Sequence, residues 1–423
     1  MPDVLIKNGR VICPDQGLDE PADLLISDGR IAKIGAAGEP AQEVIDAAGK
    51  IVCPGLIDMH VHLRDPGDRD EETIASGSAA AIAGGFTTIV AMPNTDPPID
   101  NPAAAEYVIN KARQANLANV LPAGAITLGR EGEELTEMGL TSLAGAAAFT
   151  DDGSWVSSAG VMAKALKYAR LTGLPIMSHC EDPSLAGKGV MNAGTTATEL
   201  GLPGTPASAE EIAIARDIIL AHETGGRLHV THVSTAGGVE LVRRAKERGD
   251  NVTADATPHH LTLTEDFVRG YNTNARVNPP LRTKADVDAL RQGIKDGTID
   301  AIASDHAPHA PQEKACEFDK AAPGVVGLET TLAVLAAELV GPGILSWPQL
   351  IAALTVAPAR ALGIAKGTLR PGADADVVVI DPAAEWIIDS GRVVSRGRNC
   401  PFDGMSVVGR AEVVIVGGAV KDL

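Results

Sequence analysis

The strongest constraint on the fold is a repeated alternation of short apolar runs with longer helical patterns between about Pro54 and Gly363. The apolar runs are rich in Val, Ile and Ala and lack the polar–apolar alternation of strands with one solvent face, so they indicate strands buried on both sides. Eight strand–helix alternations predict an α/β fold, a (β/α)8 TIM barrel. The predicted strands are residues 56–62, 87–92, 120–125, 146–150, 175–179, 228–232, 251–254 and 301–304.

Helical patterns lie between these strands, for example over residues 157–171 and 209–222. Ser208 and Glu211 have the spacing of a capping box, so we expect them to open the second of these helices. A further helical run, 328–339, follows the last predicted strand.

The two ends of the chain have a different pattern. Short Val/Ile/Leu runs are separated by Asn8-Gly9 and Asp28-Gly29, which is typical of β-hairpins, and similar runs return over 375–380 and 411–416. We therefore expect one small β domain built from residues 1–53 and 364–423, with the barrel over 54–363.

Charge and cysteine content exclude several classes of function. Lys and Arg number 36 against 55 Asp and Glu, a net charge of −19, which repels nucleic acids and anionic membranes. The 5 cysteines include no CxxC pair, so we expect reduced thiols rather than disulfides or a cysteine-ligated zinc. With no secretory leader and no membrane-spanning stretch in the pattern, we expect a cytoplasmic protein with no membrane or nucleic-acid partner.

Histidines and aspartates stand at the carboxyl ends of the predicted strands. In a barrel these ends form one face, where active sites are built. Side chains two apart in a strand point the same way, so His60 and His62 could share one cation at about 2.0–2.1 Å. The alternative is a pair of buried histidines hydrogen-bonded in the core. The other strand-end candidates are Asp151, Asp152, His179, His232 and Asp305.

Several longer motifs accompany these residues: DMHVHLRDPG at 58–67, MPNT at 92–95, FTDDG at 149–153, RVNPPLR at 276–282 and SDHAPH at 304–309. Together they resemble the dihydroorotases of the amidohydrolase superfamily. HxH alone occurs in many amidohydrolases, whereas the combination is specific. The resemblance covers essentially the whole chain, because the termini resemble that superfamily's composite β-sandwich.

The resemblance implies a zinc site, with one or two ions per chain and a binuclear arrangement expected. The implied ligands are His60, His62 and Asp305 for the more buried ion, His179 and His232 for the second, and Asp152 as the bridge. In many related hydantoinases and some dihydroorotases a carboxylated lysine forms the bridge. Residues 146–153 contain no lysine, so Asp152 stands in its place. We expect Asp151 to support this site or to cap the following turn.

The implied reaction is the reversible opening of (S)-dihydroorotate to N-carbamoyl-L-aspartate in de novo pyrimidine (UMP) biosynthesis. A metal-bound hydroxide attacks the ring carbonyl, and Asp305 serves as general base and then acid; the alternative is that Asp305 is only a ligand. The implied substrate-binding residues are His62, Arg64, Asn94, Asn278, His309, Pro323 and Gly324. The planar guanidinium of Arg64 suits a carboxylate, although an arginine often pairs with a nearby residue such as Asp65.

Two other functions compete with this interpretation. One is a hydantoinase or allantoinase, which Arg64 and the absent bridging lysine disfavour. The other is a non-catalytic dihydroorotase-like partner of aspartate transcarbamoylase, which the complete ligand set disfavours. We expect a homodimer, and association with aspartate transcarbamoylase is compatible with catalysis. Among the remaining residues, His259 and His260 are expected to order a loop, and Cys180 to be a packed thiol rather than a nucleophile.

Overall fold

The computed structural model describes residues 3–36, 38 and 40–422. The strands in these residues are β1 (Val4–Cys13), β2 (Leu18–Ser27), β3 (Arg30–Ile34), β4 (Glu43–Asp46), β5 (Ile51–Pro54), β6 (Leu56–Val61), β7 (Phe86–Ala91), β8 (Asn119–Gly124), β9 (Ala148–Phe149), β10 (Ile176–Ser178), β11 (Met191–Asn192), β12 (Gly204–Thr205), β13 (Leu228–Val230), β14 (Val252–Ala256), β15 (Ala301–Ile302), β16 (Val377–Ile387), β17 (Ser406–Val416) and β18 (Ala419–Lys421).

The α-helices in the same residues are α1 (Ile74–Ala83), α2 (Pro102–Ala115), α3 (Met138–Leu143), α4 (Ala159–Thr172), α5 (Pro183–Ala186), α6 (Thr195–Leu200), α7 (Ala207–Thr224), α8 (Ala236–Glu247), α9 (Pro258–Thr262), α10 (Lys284–Asp296), α11 (Pro311–Lys314), α12 (Thr331–Leu335), α13 (Trp347–Leu354) and α14 (Val356–Leu362). Short 3-10 turns cover Pro14–Gln16, Leu128–Arg130, Glu265–Val268 and Thr273–Ala275, and a π-helical segment covers Ala336–Val340.

Eight parallel strands form the predicted barrel, in the order β6-β7-β8-β9-β10-β13-β14-β15. All residues of β6 and β7 are buried, which explains why apolar residues predominate in both strands. At the end of β6, Val61 pairs in parallel with His306, which lies beyond β15, and the amide of His62 donates to the carbonyl oxygen of His306 at 2.8 Å. These contacts connect the first and eighth strands at the mouth of the barrel.

The helix predictions were correct in position and less so at the ends. Helix α4 agrees with the predicted 157–171, and the Ser158 side chain caps it by accepting from the amide of Val161. The capping box of Ser208 and Glu211 is wrong: α7 begins at Ala207 behind Pro206, so Ser208 already lies within the first turn.

The helix predicted over 328–339 begins only at Thr331. The preceding amides of Gly327 and Leu328 point to the Nδ1 atom of His306, at 3.2 and 3.5 Å. The later start therefore reflects a tertiary contact that local sequence does not encode. From Ala336 the helix continues as the π-helical segment.

Strands from both ends of the chain form one mixed sheet, in the order β18-β17-β16-β5-β1-β2-β3, with β4 also paired to β1. Strand β16 pairs antiparallel with β5, which joins the two termini directly. Leu24, Val377 and Ile415 are fully buried in the core of this sheet. The prediction of a β domain shared by the termini is confirmed, and its limits at residues 53 and 364 stay a prediction.

The five cysteines are free thiols, as expected, and four of them are buried. None of the helices in the described part of the chain is long and apolar enough to cross a bilayer.

Candidate metal centre and active site

The mouth of the barrel holds three non-glycine residues in the left-handed backbone region. Arg64 has φ +55°, His232 has φ +39° and Asp305 has φ +49°, each just beyond the end of a barrel strand. Residues other than glycine rarely adopt this backbone conformation, because it is strained. Where the surrounding structure enforces it, the position often belongs to a functional site. These turns mark the face on which the predicted site residues meet.

The first group at this face is formed by His60, His62 and two carboxylates. Oδ1 of Asp305 lies 3.2 Å from Nε2 of His62 and 3.5 Å from Nε2 of His60. Oδ2 of Asp152 lies 3.2 and 3.5 Å from Nε2 of His60 and of His62, respectively. Two imidazole nitrogens and two carboxylate oxygens therefore surround one small volume.

The second group uses the other oxygen of Asp152. Oδ1 of Asp152 lies 3.7 Å from Nδ1 of His179 and 3.7 Å from Nε2 of His232. Those two ring nitrogens are 2.9 Å apart. One carboxylate thus faces a histidine pair with each of its oxygens, which is the arrangement expected of a group that bridges two cations.

Unsatisfied buried atoms at this site fit a bound cation. Both ring nitrogens of His60, Oδ1 of Asp152 and Nδ1 of His232 are buried and have no hydrogen-bond partner. A buried polar atom without a partner costs about 1–3 kcal/mol, so such a cluster requires an explanation. Two groups of three residues each bring one donor atom per residue within 4.8 Å of one another. The first group is His60, His62 and Asp305, and the second is His60, Asp152 and His232. Imidazole and carboxylate donors are the ligands that zinc takes.

The electrostatics of the group also favour positive charge at its centre. Burial lowers the pKa of His60, but the carboxylates of Asp152 and Asp305 outweigh burial and raise that pKa to about 10. Burial acts to raise the pKa of Asp305, yet His60 and His62 hold it far below its ordinary range. A proton on His60 here occupies the place in which a metal ion would supply the charge.

Two asparagines that were expected to bind substrate contact the ligand histidines. Oδ1 of Asn94 lies 2.8 Å from Nδ1 of His62, so Nδ1 donates to it and Nε2 is the ring nitrogen that faces the two carboxylates. Nδ2 of Asn278 lies 3.4 Å from Nε2 of His179, whose Nδ1 faces Asp152. Both asparagines therefore contact the ring nitrogen that faces away from the two carboxylates.

Two buried carboxylates that sequence reasoning missed support the strand ends. Asp58 accepts two backbone hydrogen bonds. Its Oδ1 accepts from the amide of His60 at 3.1 Å, and its Oδ2 accepts from the amide of Ser304 at 3.1 Å. Asp255 accepts from the amide of His232 at 2.7 Å and lies 2.8 Å from Nε2 of His229. The only sequence signal was a charged residue inside an apolar strand pattern, which is uncommon in a buried strand.

Arg64 and His309 lie to one side of the metal ligands. Nε of Arg64 forms an ion pair with Oε2 of Glu71 at 2.9 Å, and its guanidinium also donates to the carbonyl of Pro308. The alternative that Arg64 pairs with Asp65 is wrong, because Asp65 accepts from the hydroxyl of Tyr107. Beyond β6 the chain leaves the strand, so strand alternation did not predict this contact.

The loop after β15 brings the remaining predicted residues to the same side. Nε2 of His309 lies 3.0 Å from the carbonyl oxygen of Pro323. The next residue, Gly324, has φ +142° and donates its amide to the carbonyl of Arg276 at 2.9 Å. The predicted substrate-binding residues of this loop thus adjoin one another.

Other candidates have structural contacts. Asp151 accepts from the amides of Ile126 and Thr127 and so holds the loop after β8. His260 contacts the hydroxyl of Thr257 and the carbonyl of Pro279, as expected for a loop-ordering residue. Burial raises the pKa of the Cys180 thiol well above its ordinary value, which agrees with a packed side chain.

Comparison with known proteins gives consistent matches. A family described as dihydro-orotase-like matches residues 49–237. A dihydroorotase of Pelotomaculum thermopropionicum is 53% identical over 418 residues, which are 99% of this chain and 98% of the relative. A dihydroorotase of Syntrophotalea carbinolica is 54% identical over 418 residues, again 99% and 98% of the two chains. The solved structure of L-hydantoinase (dihydropyrimidinase) from Arthrobacter aurescens matches with a TM-score of 0.88 and 31% identity, covering 99% of this chain and 96% of that one. The similarity therefore includes both the barrel and the sheet formed by the termini.

Proposed function

Because the chain belongs to the dihydroorotase family and is an enzyme that hydrolyses a cyclic amide, we propose that it interconverts (S)-dihydroorotate and N-carbamoyl-L-aspartate in de novo pyrimidine synthesis. The observation that carries the proposal is the convergence of His60, His62, His179, His232, Asp152 and Asp305, with Arg64 and His309 beside them. Hydrolysis of an amide needs an activated water, and a substrate with carboxylates needs cationic partners.

Zinc is the proposed ion, as one or two per chain. Bound by these six side chains, it supplies polarisation of the amide carbonyl and a water of lowered pKa. Asp152 supports two ions, because each of its oxygens faces a separate histidine pair. The asparagine behind His62 keeps the lone pair of Nε2 directed toward the ion site.

Asp305 is the proposed general base and acid. Its Oδ1 lies within 3.5 Å of Nε2 of both His60 and His62, so a water bound among these residues would lie within reach of this oxygen, which could take its proton. An amide nitrogen is a poor leaving group unless it is protonated, and Asp305 then returns the proton to the ring nitrogen. The left-handed backbone at Asp305 directs its carboxylate into the mouth.

Substrate recognition is assigned to the residues around Arg64 and His309. Arg64 offers guanidinium donors to a carboxylate, and His309 adds a second cationic or neutral donor. Asn94, Asn278 and the backbone at Pro323 and Gly324 are proposed to complete the pocket.

The second candidate is a hydantoinase, favoured by the structural similarity to L-hydantoinase at 31% identity. The test is to compare the zinc-loaded wild type, Arg64→Met and Asp305→Ala on dihydroorotate and on an uncharged hydantoin. We expect Arg64→Met to raise KM for dihydroorotate about 10-fold or more with little change for hydantoin. Asp305→Ala and removal of the metal by a chelator should each abolish turnover. Arg392→Met is the control, because it makes the same substitution at a side chain that is 88% exposed and should leave KM for dihydroorotate unchanged.

The opposite substrate preference would favour the hydantoinase. A zinc-loaded wild type with no turnover of dihydroorotate or N-carbamoyl-L-aspartate would refute the main proposal.

Free thiols are typical of a reducing compartment, which supports a location in the cytoplasm. A homodimer, and association with aspartate transcarbamoylase, are part of the proposal and can be tested by size-exclusion chromatography with and without that partner.

A further inference from the structure

We infer that Glu71 is a positioning residue that holds Arg64 and His309 together as the pair of side chains that binds a substrate carboxylate. The inference rests on the proposed function and adds a residue to its binding side. Glu71 lies in the loop between β6 and α1 and is only 7% exposed. Its Oε2 lies 2.9 Å from Nε of Arg64, and its Oε1 lies 3.0 Å from Nδ1 of His309.

The ring of His309 has a contact on each of its two nitrogens. Nδ1 faces the carboxylate of Glu71, and Nε2 faces the carbonyl oxygen of Pro323 at 3.0 Å. Both partners are acceptors that lie on opposite sides of the ring. The position of the His309 ring is therefore fixed by Glu71 on one side and by the loop carbonyl on the other.

The neighbouring histidine of the same loop shows the contrast. Nε2 of His306 lies 3.3 Å from Oε2 of Glu72, while its Nδ1 accepts from the amide of Gly327 at 3.2 Å. Adjacent glutamates thus contact two histidines of one loop, and of the two only Glu71 also contacts Arg64.

Two carboxylates lie beside His309, and they differ in their contacts. Glu313 approaches Nδ1 of His309 only to 3.6 Å and accepts from the amide of Ala310 at 2.9 Å. Glu71 lies closer to His309 and also forms an ion pair with Arg64. Glu71 is therefore the carboxylate whose loss should free both side chains at once.

The test is steady-state kinetics of Glu71→Gln with zinc-loaded protein and dihydroorotate. Glutamine keeps the size of the side chain and removes its charge, so we expect KM to rise about 10-fold or more while kcat stays within about threefold. Glu317→Gln is the matched control, because it makes the same change in the loop after β15 at a side chain that is 69% exposed and pairs with Lys320, and its KM should stay within about twofold. Glu71→Asp keeps the charge and shortens the side chain, so its KM should lie between those of the wild type and Glu71→Gln.

The outcomes separate the inference from the function on which it rests. An inactive wild type would refute the proposed function. An active wild type with an unchanged KM in Glu71→Gln, or with a loss confined to kcat, would overturn the role of Glu71. If thermal unfolding shows that Glu71→Gln does not fold, Glu71→Asp alone carries the test: a KM raised about threefold or more supports the role, and an unchanged KM overturns it.

Discussion

Replacing Gly324 by alanine tests whether the loop after β15 positions His309. A Cβ built on Gly324 would lie 2.8 Å from Cβ of Ala307 and 2.9 Å from Nε2 of His309. Favourable contacts between such atoms need about 3.5–4.0 Å, so the two neighbours would have to move by roughly 0.5–1 Å. The backbone at φ +142° adds strain for any side chain. Strain and overpacking together destabilise the fold by at least about 2 kcal/mol.

The displacement of His309 should also reduce catalysis. A misplacement of about 1 Å costs up to about 100-fold in rate, so we expect kcat/KM for dihydroorotate to fall about 10- to 100-fold. The reaction can be measured by the ultraviolet absorbance of the dihydroorotate ring. Gly343→Ala is the control, because it has a left-handed backbone at φ +76° with no atom within 4 Å of the new Cβ. If both variants had a kcat/KM within twofold of the wild type, the loop would not position His309.

Three further predictions concern metal content and stability. The wild type should retain about two zinc ions after dialysis and His232→Ala about one, as measured by mass spectrometry, and equal contents would contradict a bridged pair. Asp255→Ala leaves the buried donors of His232 and His229 unpaired and should lower the unfolding free energy by roughly 2–4 kcal/mol in urea titrations; an unchanged midpoint would contradict this. Burial lowers the pKa of Lys314 to about 7, so above that pH the unfolded chain binds the extra proton and stability rises with pH up to about 10. Lys314→Met should remove up to about 1.4 kcal/mol per pH unit of this rise, and parallel stability curves for the two proteins would refute the assignment.

The barrel was predictable because burial on both sides of a parallel strand imposes a continuous apolar run that can be read locally. Each of the eight predicted strands overlaps an observed one, although β9 and β15 retain only two residues each. Helix ends were less predictable. Helix α7 begins at Ala207, directly after Pro206, and not at the predicted capping box. The late start of α12 accompanies a contact of the preceding amides with His306, which lies about twenty residues earlier.

The residues of the site also divide into those that the sequence indicates and those that only the folded structure identifies. Motifs and strand ends indicated which histidines and aspartates gather at the mouth, since parallel strands end at one face. They did not indicate the roles of Asp58, Asp255 or Glu71, each of which also has a partner far away along the chain. Glu71 and His309 are 238 residues apart, and only the closure of the barrel brings their loops together. Periodicity and residue type are local properties of the chain, whereas the pairing of a buried carboxylate with one cation rather than another is decided by packing across the whole fold.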